Sequence, residues 1–93
     1  MWGKKLSYNN QFDIKLHPNP TINDEISINF KQSLTGNGII EIYTTEGKII
    51  KKEIFLKDTN KRTLKLNGYK GVLMIRILSE NGEILFTDKI ISH

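Results

Sequence analysis

The sequence has no cysteine and only two prolines. The absence of cysteine excludes disulfides, a thiol nucleophile and thiolate metal ligands, and it leaves the compartment open because secreted domains need not carry disulfides. No run of about 18 apolar residues occurs, so no membrane-spanning helix is expected. Residues 1–5 are not followed by the apolar stretch of a secretory signal peptide. We therefore expect either a cytoplasmic protein or a piece of a longer precursor.

Side chains suited to catalysis or metal binding are also scarce. The two histidines, His17 and His93, lie at opposite ends of the chain, and His17 is interpreted as a half-buried turn residue rather than a ligand. No serine is flanked by glycines as in a nucleophile elbow, and no phosphate-binding loop occurs. Residues 23–25 offer oxygens to calcium but lack the alternating spacing of a calcium loop. The sequence predicts no enzyme, no metal site and no cofactor.

Positive charge is dispersed along the chain. The net charge is +4, and arginine occurs only at Arg62 and Arg76. Proteins that read nucleic acids usually concentrate arginine and aromatic residues on one face, so no nucleic-acid partner is expected. Lys48, Lys51 and Lys52 could meet an acidic partner or lipopolysaccharide phosphate, but such lysines more often protect an exposed sheet edge.

Short apolar runs separated by turn residues dominate the rest of the chain. Residues 1–11 are polar and lack periodicity, which indicates a flexible lead-in. From residue 12 onward, alternation and turn signals predict an all-β domain over residues 12–93, a seven-stranded antiparallel immunoglobulin-like sandwich. Residues 72–78 are the most apolar run and are expected to form a central strand. The predicted strands are residues 12–16, 25–30, 39–44, 49–56, 63–66, 72–78 and 83–91.

Turn residues separate the predicted strands. Pro18 and Pro20 fix φ and lack backbone donors, and Asn19 between them is pushed toward an extended conformation. Since seven polar or turn-type residues separate the first two strands, we expect a rigid corner that carries the chain from one sheet to the other. Gly47 is expected to supply a left-handed turn position, and Asn81-Gly82 predicts a hairpin.

The order of these motifs resembles a known family. The motifs are LHPNPT (16–21), ISI (26–28), IEIY (40–43), EGK (46–48), LKL (64–66), Gly71, IRI (75–77), NG (81–82) and KII (89–91). In this order they resemble the type A C-terminal sorting domain of the type IX (Por) secretion system of Bacteroidetes, from residue 12 to the end. Two positions depart from that family's pattern: Leu73 stands where an aromatic residue is common, and Ser92-His93 replaces a basic tail.

The resemblance implies a non-catalytic domain that directs a larger cargo protein through the type IX machinery to the cell surface or the medium. It also implies removal by a sortase-like peptidase within the lead-in. The expected recognition residues are Pro18, Asn19, Pro20, Gly47, Lys48, Gly71, Lys89, Ile90 and Ile91. The expected cleavage region is Lys4, Lys5, Leu6, Ser7, Tyr8, Asn9, Asn10 and Gln11.

Two other functions stay open at this point, because a sandwich fold does not fix function. An adhesion or carbohydrate-binding module would use exposed aromatic residues such as Tyr43 and Tyr69. A structural appendage would only stabilise its parent protein. The sequence also allows a dimer formed through an open sheet edge.

Overall fold

The computed structural model describes residues 13–32 and 34–92, and within these residues it contains strands and no helix. The predicted all-β fold with seven strands is therefore confirmed. No helix in the described part of the chain is long and apolar enough to cross a membrane. The strands are β1 (Ile14–Ile22), β2 (Glu25–Phe30), β3 (Gly38–Thr44), β4 (Ile49–Phe55), β5 (Lys61–Lys65), β6 (Gly71–Ser79) and β7 (Ile84–Ser92).

The strands form two antiparallel sheets, in the orders β1-β2-β5 and β4-β3-β6-β7. Because side chains alternate along a strand, each sheet sends every second residue into a shared core. Ile26 and Ile28 of one sheet and Ile40 and Ile42 of the other are fully buried there. As predicted, β6 is central, between β3 and β7. This layout is compatible with an immunoglobulin-like sandwich.

An aromatic stack connects the two sheets near the start of β3. The rings of Phe30 in β2 and Phe55 in β4 stack across the core, with centroids 4.7 Å apart. Gly38 is paired with Phe55 in β4, and a Cβ atom at Gly38 would overlap the Phe55 ring. The absence of a side chain at this position therefore allows the aromatic pair to form.

Two hairpins of the four-stranded sheet have the same construction. In the β3–β4 hairpin the Thr44 amide donates to the Lys48 carbonyl, and in the β6–β7 hairpin the Ser79 amide donates to the Glu83 carbonyl, each at 2.8 Å. Gly47 and Gly82 take positive φ angles of 92° and 88° at the ends of these loops. Both predicted turns are confirmed, as loops with a left-handed glycine in their third position.

The expectation for the proline corner was wrong in one respect. Strand β1 continues past the corner and pairs with β2 in the same sheet, so the corner does not carry the chain to the other sheet. Asn23 and Asp24 have φ angles of 58° and 62° and make a tight turn between Ile22 and Glu25. The pairing is interrupted over residues 18–21, which bulge out of the ladder. An edge strand tolerates this because it has a partner on one side only.

The two long sides of the sandwich are built differently. Within the described strands, Cα atoms of β1 lie within 8 Å of Cα atoms of β7, although these strands belong to different sheets. Cα atoms of β4 and β5, which lie on the opposite side, do not come this close to each other. The corner therefore lies against the other sheet without joining it.

Candidate recognition surface

The side chain of Asn19 connects the proline corner to the last strand. Its Nδ2 donates to the Lys89 carbonyl oxygen at 3.0 Å, and its Oδ1 accepts from the Ile91 amide at 3.0 Å. A primary amide carries a donor and an acceptor side by side, so it can satisfy two backbone groups as a neighbouring strand would. Asn19 thus occupies the outer edge of β7 over residues 89–91.

A second side chain covers another backbone group of this edge. The Lys89 amide donates to Oδ1 of Asp88 at 2.7 Å. Lys89 is exposed, whereas Ile90 is fully buried in the core and Ile91 is partly buried. Of the three predicted recognition residues in β7, Lys89 therefore presents the most exposed side chain, and Ile90 anchors the strand from within.

Gly71 lies beside the same strand. It pairs with Ser92 at the start of β6, and the Ser92 hydroxyl donates to the Tyr69 carbonyl at 2.6 Å. The turn that contains Tyr69 is held by Asp24, because the Gly68 amide donates to both carboxylate oxygens of Asp24, at 2.9 and 3.1 Å. The β1–β2 turn and the β5–β6 loop are thereby fixed next to the end of β7.

Gly47 and Lys48 are exposed in the β3–β4 loop. This loop lies at the same end of the sandwich, since Thr44 pairs with Leu73, two residues after Gly71. We call this end, which carries residues 45–48, Gly71 and Ser92, the Ser92 end. The structure thus brings the predicted recognition residues from the corner, the loop, Gly71 and β7 to or near one end of the molecule.

The chain enters the sandwich at the other end. The Asp13 carbonyl accepts from the Lys31 amide at 3.0 Å, and Ile14 pairs with Phe30, whose ring stacks on Phe55. The predicted lead-in, residues 1–11, and the predicted cleavage residues within it lie outside the described residues. Their attachment point is opposite the Ser92 end.

The residues considered for calcium are engaged with other partners. Both Asp24 carboxylate oxygens accept from Gly68, and Glu25 forms an ion pair with Lys65 at 2.9 Å. The hydrogen bond between Lys65 and Glu25, together with the negative charge of Glu25, raises the pKa of the Lys65 ammonium above its ordinary 10.5. Among residues 13–32 and 34–92, no group of three histidine or acidic side chains is arranged to hold a metal ion.

Single side chains that were considered as ligands are also placed. His17 was expected to be half-buried in a turn, but it is exposed in β1, and its Nε2 lies 2.7 Å from Nδ2 of Asn29. Tyr43 faces outward on β3, beneath the guanidinium of Arg76 at 5.4 Å, whereas Tyr69 packs against the core. The two tyrosines therefore do not form one platform for a sugar.

Two arginine contacts were not anticipated from the sequence. Arg76 donates to the buried Glu41 carboxylate through Nε at 3.0 Å and Nη2 at 2.7 Å, on the outer face of the four-stranded sheet. Arg62 of β5 reaches across to β4, where it pairs with Glu53 and donates to the Ile54 carbonyl at 3.4 Å. Strand register places Arg76 opposite Glu41, whereas the Arg62 contact depends on the packing of the two sheets, and the sequence reveals neither directly.

Over residues 15–93 the chain matches the family described as the secretion system C-terminal sorting domain. The chain belongs to this family. The sorting domain is a C-terminal signal for type IX secretion, and it is part of a larger cargo protein destined for the cell surface or the exterior. No curated protein and no solved structure matches the chain. The family membership predicted from the motif order is confirmed. It supports the sorting function over the adhesion or carbohydrate-binding alternative.

Proposed function

We propose that the export machinery recognises the sorting domain at its Ser92 end, and that the domain performs no catalysis. The observation that carries this proposal is the contact of Asn19 with Lys89 and Ile91, which lie 70 and 72 residues further along the chain. Through this contact the corner and the last strand present one continuous surface. Gly71 borders that surface, and Gly47 and Lys48 lie at the same end.

Among the predicted recognition residues, the exposed side chains are polar apart from that of Pro20. Asn19, Lys48 and Lys89 are exposed, and Pro20 is exposed beside them. Ile90 contributes by packing in the core and holding β7 in place. We therefore assign direct contact with the machinery to Pro20, Lys48 and Lys89 and a supporting role to Ile90.

We also propose that a sortase-like peptidase cleaves the precursor within residues 4–11. A peptidase needs an extended backbone free of other pairing, and this polar stretch precedes the first strand. Its attachment point at Asp13 is opposite the Ser92 end. A peptidase working there would not compete for space with machinery that holds the other end.

The test is a fusion of residues 1–93 behind a reporter that carries its own signal peptide, expressed in a cell with a functional type IX system. We expect the reporter at the cell surface or in the medium, with a new C-terminus within residues 4–11 by mass spectrometry. Retention of the fusion in the periplasm would overturn the sorting role of this chain. Surface reporter cut elsewhere would overturn only the proposed cleavage region.

The same assay addresses the structural-appendage hypothesis. If the domain only stabilised its parent, a reporter without residues 1–93 would reach the surface equally well and would differ only in melting temperature. A dimer formed through a sheet edge stays a prediction. Asn19 covers part of the β7 edge and Arg62 contacts the β4 edge, so both edges of the four-stranded sheet are partly occupied. Sedimentation equilibrium over a range of concentrations would detect such a dimer.

A further inference from the structure

Over residues 89–91, side chains cover backbone groups on the outer edge of β7 where a strand partner would otherwise bind. In an antiparallel sheet the backbone groups of alternate residues point away from the neighbouring strand, and at a sheet edge they are open to pairing. In β7 the Lys89 amide is taken by Asp88, and the Lys89 carbonyl and the Ile91 amide are taken by Asn19. Three successive outward groups are thus satisfied within the domain.

The two prolines explain why a side chain has this role. Pro18 and Pro20 have no amide hydrogen, so the corner has no donor at these positions for a regular ladder with β7. The pairing of β1 with β2 is also interrupted over residues 18–21. The Asn19 amide is therefore the group that connects the corner to β7. Its orientation follows from chemistry, because the Ile91 amide can only donate and the Lys89 carbonyl can only accept.

We propose that Asn19 is a positioning residue for recognition: it holds residues 89–91 in the strand conformation that the export machinery reads. In this arrangement the Pro-Asn-Pro corner acts through the last strand, and its two prolines serve to aim the Asn19 amide. The proposal rests on the proposed function, in which the Ser92 end is the surface that is read. Asn19 then contributes to recognition mainly through the conformation of residues 89–91.

The first test measures the contact itself by amide hydrogen exchange on the full chain. Replacing Asn19 by Ala removes both hydrogen bonds, and we expect exchange of the Ile91 amide to accelerate about tenfold or more while β2 and β3 stay protected. The melting temperature should fall by about 4–8 °C, because two exposed hydrogen bonds that water can replace are together worth about as much as one typical hydrogen bond in a domain of this size. Unchanged exchange at Ile91 would overturn the proposal.

A second variant separates this contact from a general loss of stability. Asn19→Asp keeps the shape of the side chain, but an ionised carboxylate directs an oxygen at the Lys89 carbonyl and cannot donate to it. Below about pH 4 the carboxyl group becomes protonated and regains one donor and one acceptor. The carboxylate still accepts from the Ile91 amide, so the hydrogen bond that this variant loses is the one to the Lys89 carbonyl. We expect its melting temperature to lie below that of the unsubstituted chain at neutral pH, and the difference to shrink on acidification as the donor is regained. A difference that stays the same at acid pH would contradict the assigned hydrogen bonds.

The third test links the contact to export, with the reporter fusion described above. Ile42→Val in the core of β3 serves as the control, because trimming one buried methyl group should cost a similar amount of stability without removing a hydrogen bond between Asn19 and β7. We expect Asn19→Ala to reduce surface reporter at least fivefold and Ile42→Val to leave it within twofold. Equal export of the two variants would overturn the positioning role and leave the sorting function intact. Retention of the unsubstituted fusion would instead overturn the sorting function itself.

Discussion

Along the β1–β7 side of the sandwich the strands of opposite sheets approach closely, and the short Asn19 side chain reaches the backbone of β7 directly. Along the β4–β5 side they lie further apart, and the long Arg62 side chain spans the distance to Glu53 and Ile54. The first connection is neutral and backbone-directed, whereas the second is charged and supported by the stack of Phe30 on Phe55. The β7 side is therefore closed by specific hydrogen bonds, whereas the β4 side is closed mainly by packing.

The largest effect is expected where packing holds the β4 side. Gly38→Ala would drive a methyl group into the Phe55 ring and disturb its stack on Phe30. We expect a loss of about 2–3 kcal/mol in the free energy of unfolding, in the range of overpacked cores. Urea denaturation with a shared m-value would measure it.

Gly36→Ala is the matched control for this substitution. The atoms nearest to a Cβ atom at Gly36 would be those of the Glu80 carboxylate, an exposed side chain that can rotate away. Its cost should stay within about 0.5 kcal/mol, as for ordinary surface changes. If the two glycine variants were equally stable, the close approach of Phe55 to Gly38 would not support this side of the sandwich.

A smaller effect should distinguish the charged connection from the neutral one. Arg62→Met removes a partly exposed ion pair and should cost about 0.5–1 kcal/mol at low salt, less at 1 M salt, where the Debye length is about 3 Å. The cost of Asn19→Ala should not change with salt, because its hydrogen bonds carry no net charge. A double-mutant cycle of Arg62→Met with Glu53→Gln at low and high salt measures the coupling. A coupling energy that ignored salt would contradict the contrast between the two sides.

Whether the sequence predicts a feature depends on how far apart in the chain the residues that determine it lie. Alternation and turn chemistry are local, so the strands and the left-handed glycines at 47 and 82 could be read from the chain. The role of the corner was predicted wrongly because the sequence offers two possible reversals, the prolines and the tight turn at Asn23 and Asp24. Only the sheet pairing shows that both fit into one hairpin.

Contacts between distant strands could not be read in the same way. Asn19 and residues 89–91 were each singled out by their resemblance to a family motif, but their mutual contact depends on the packing of two sheets. The Arg62–Glu53 and Arg76–Glu41 pairs depend on register and on the distance between strands. A polar residue between two prolines is a signal that could have pointed to a backbone contact, since the prolines leave two positions without donors.

The smallest effect is expected from an ion pair that lies within one sheet and joins nothing across the core. Lys65 of β5 pairs with Glu25 of β2 on the exposed face of the three-stranded sheet, and Glu25 raises the pKa of Lys65. A raised pKa means that the folded state holds this proton more tightly than the unfolded chain does. The resulting stabilisation is fully present below the ordinary value of 10.5 and is lost as the pH rises through the higher folded-state value.

Lys65→Met should therefore lower stability slightly at neutral pH, and the difference from the unsubstituted chain should vanish at strongly alkaline pH. The effect is small because the pair is exposed and screened by solvent. Lys61→Met is the control, since Lys61 on the same strand faces Asn29 and not an acid. Urea midpoints of the three proteins at pH 8 and about pH 11.5 would measure this. A difference for Lys65→Met that grew with pH would contradict the assigned pair, and one as large as that of Gly38→Ala would mean that pairs within a sheet matter as much as the contacts between sheets.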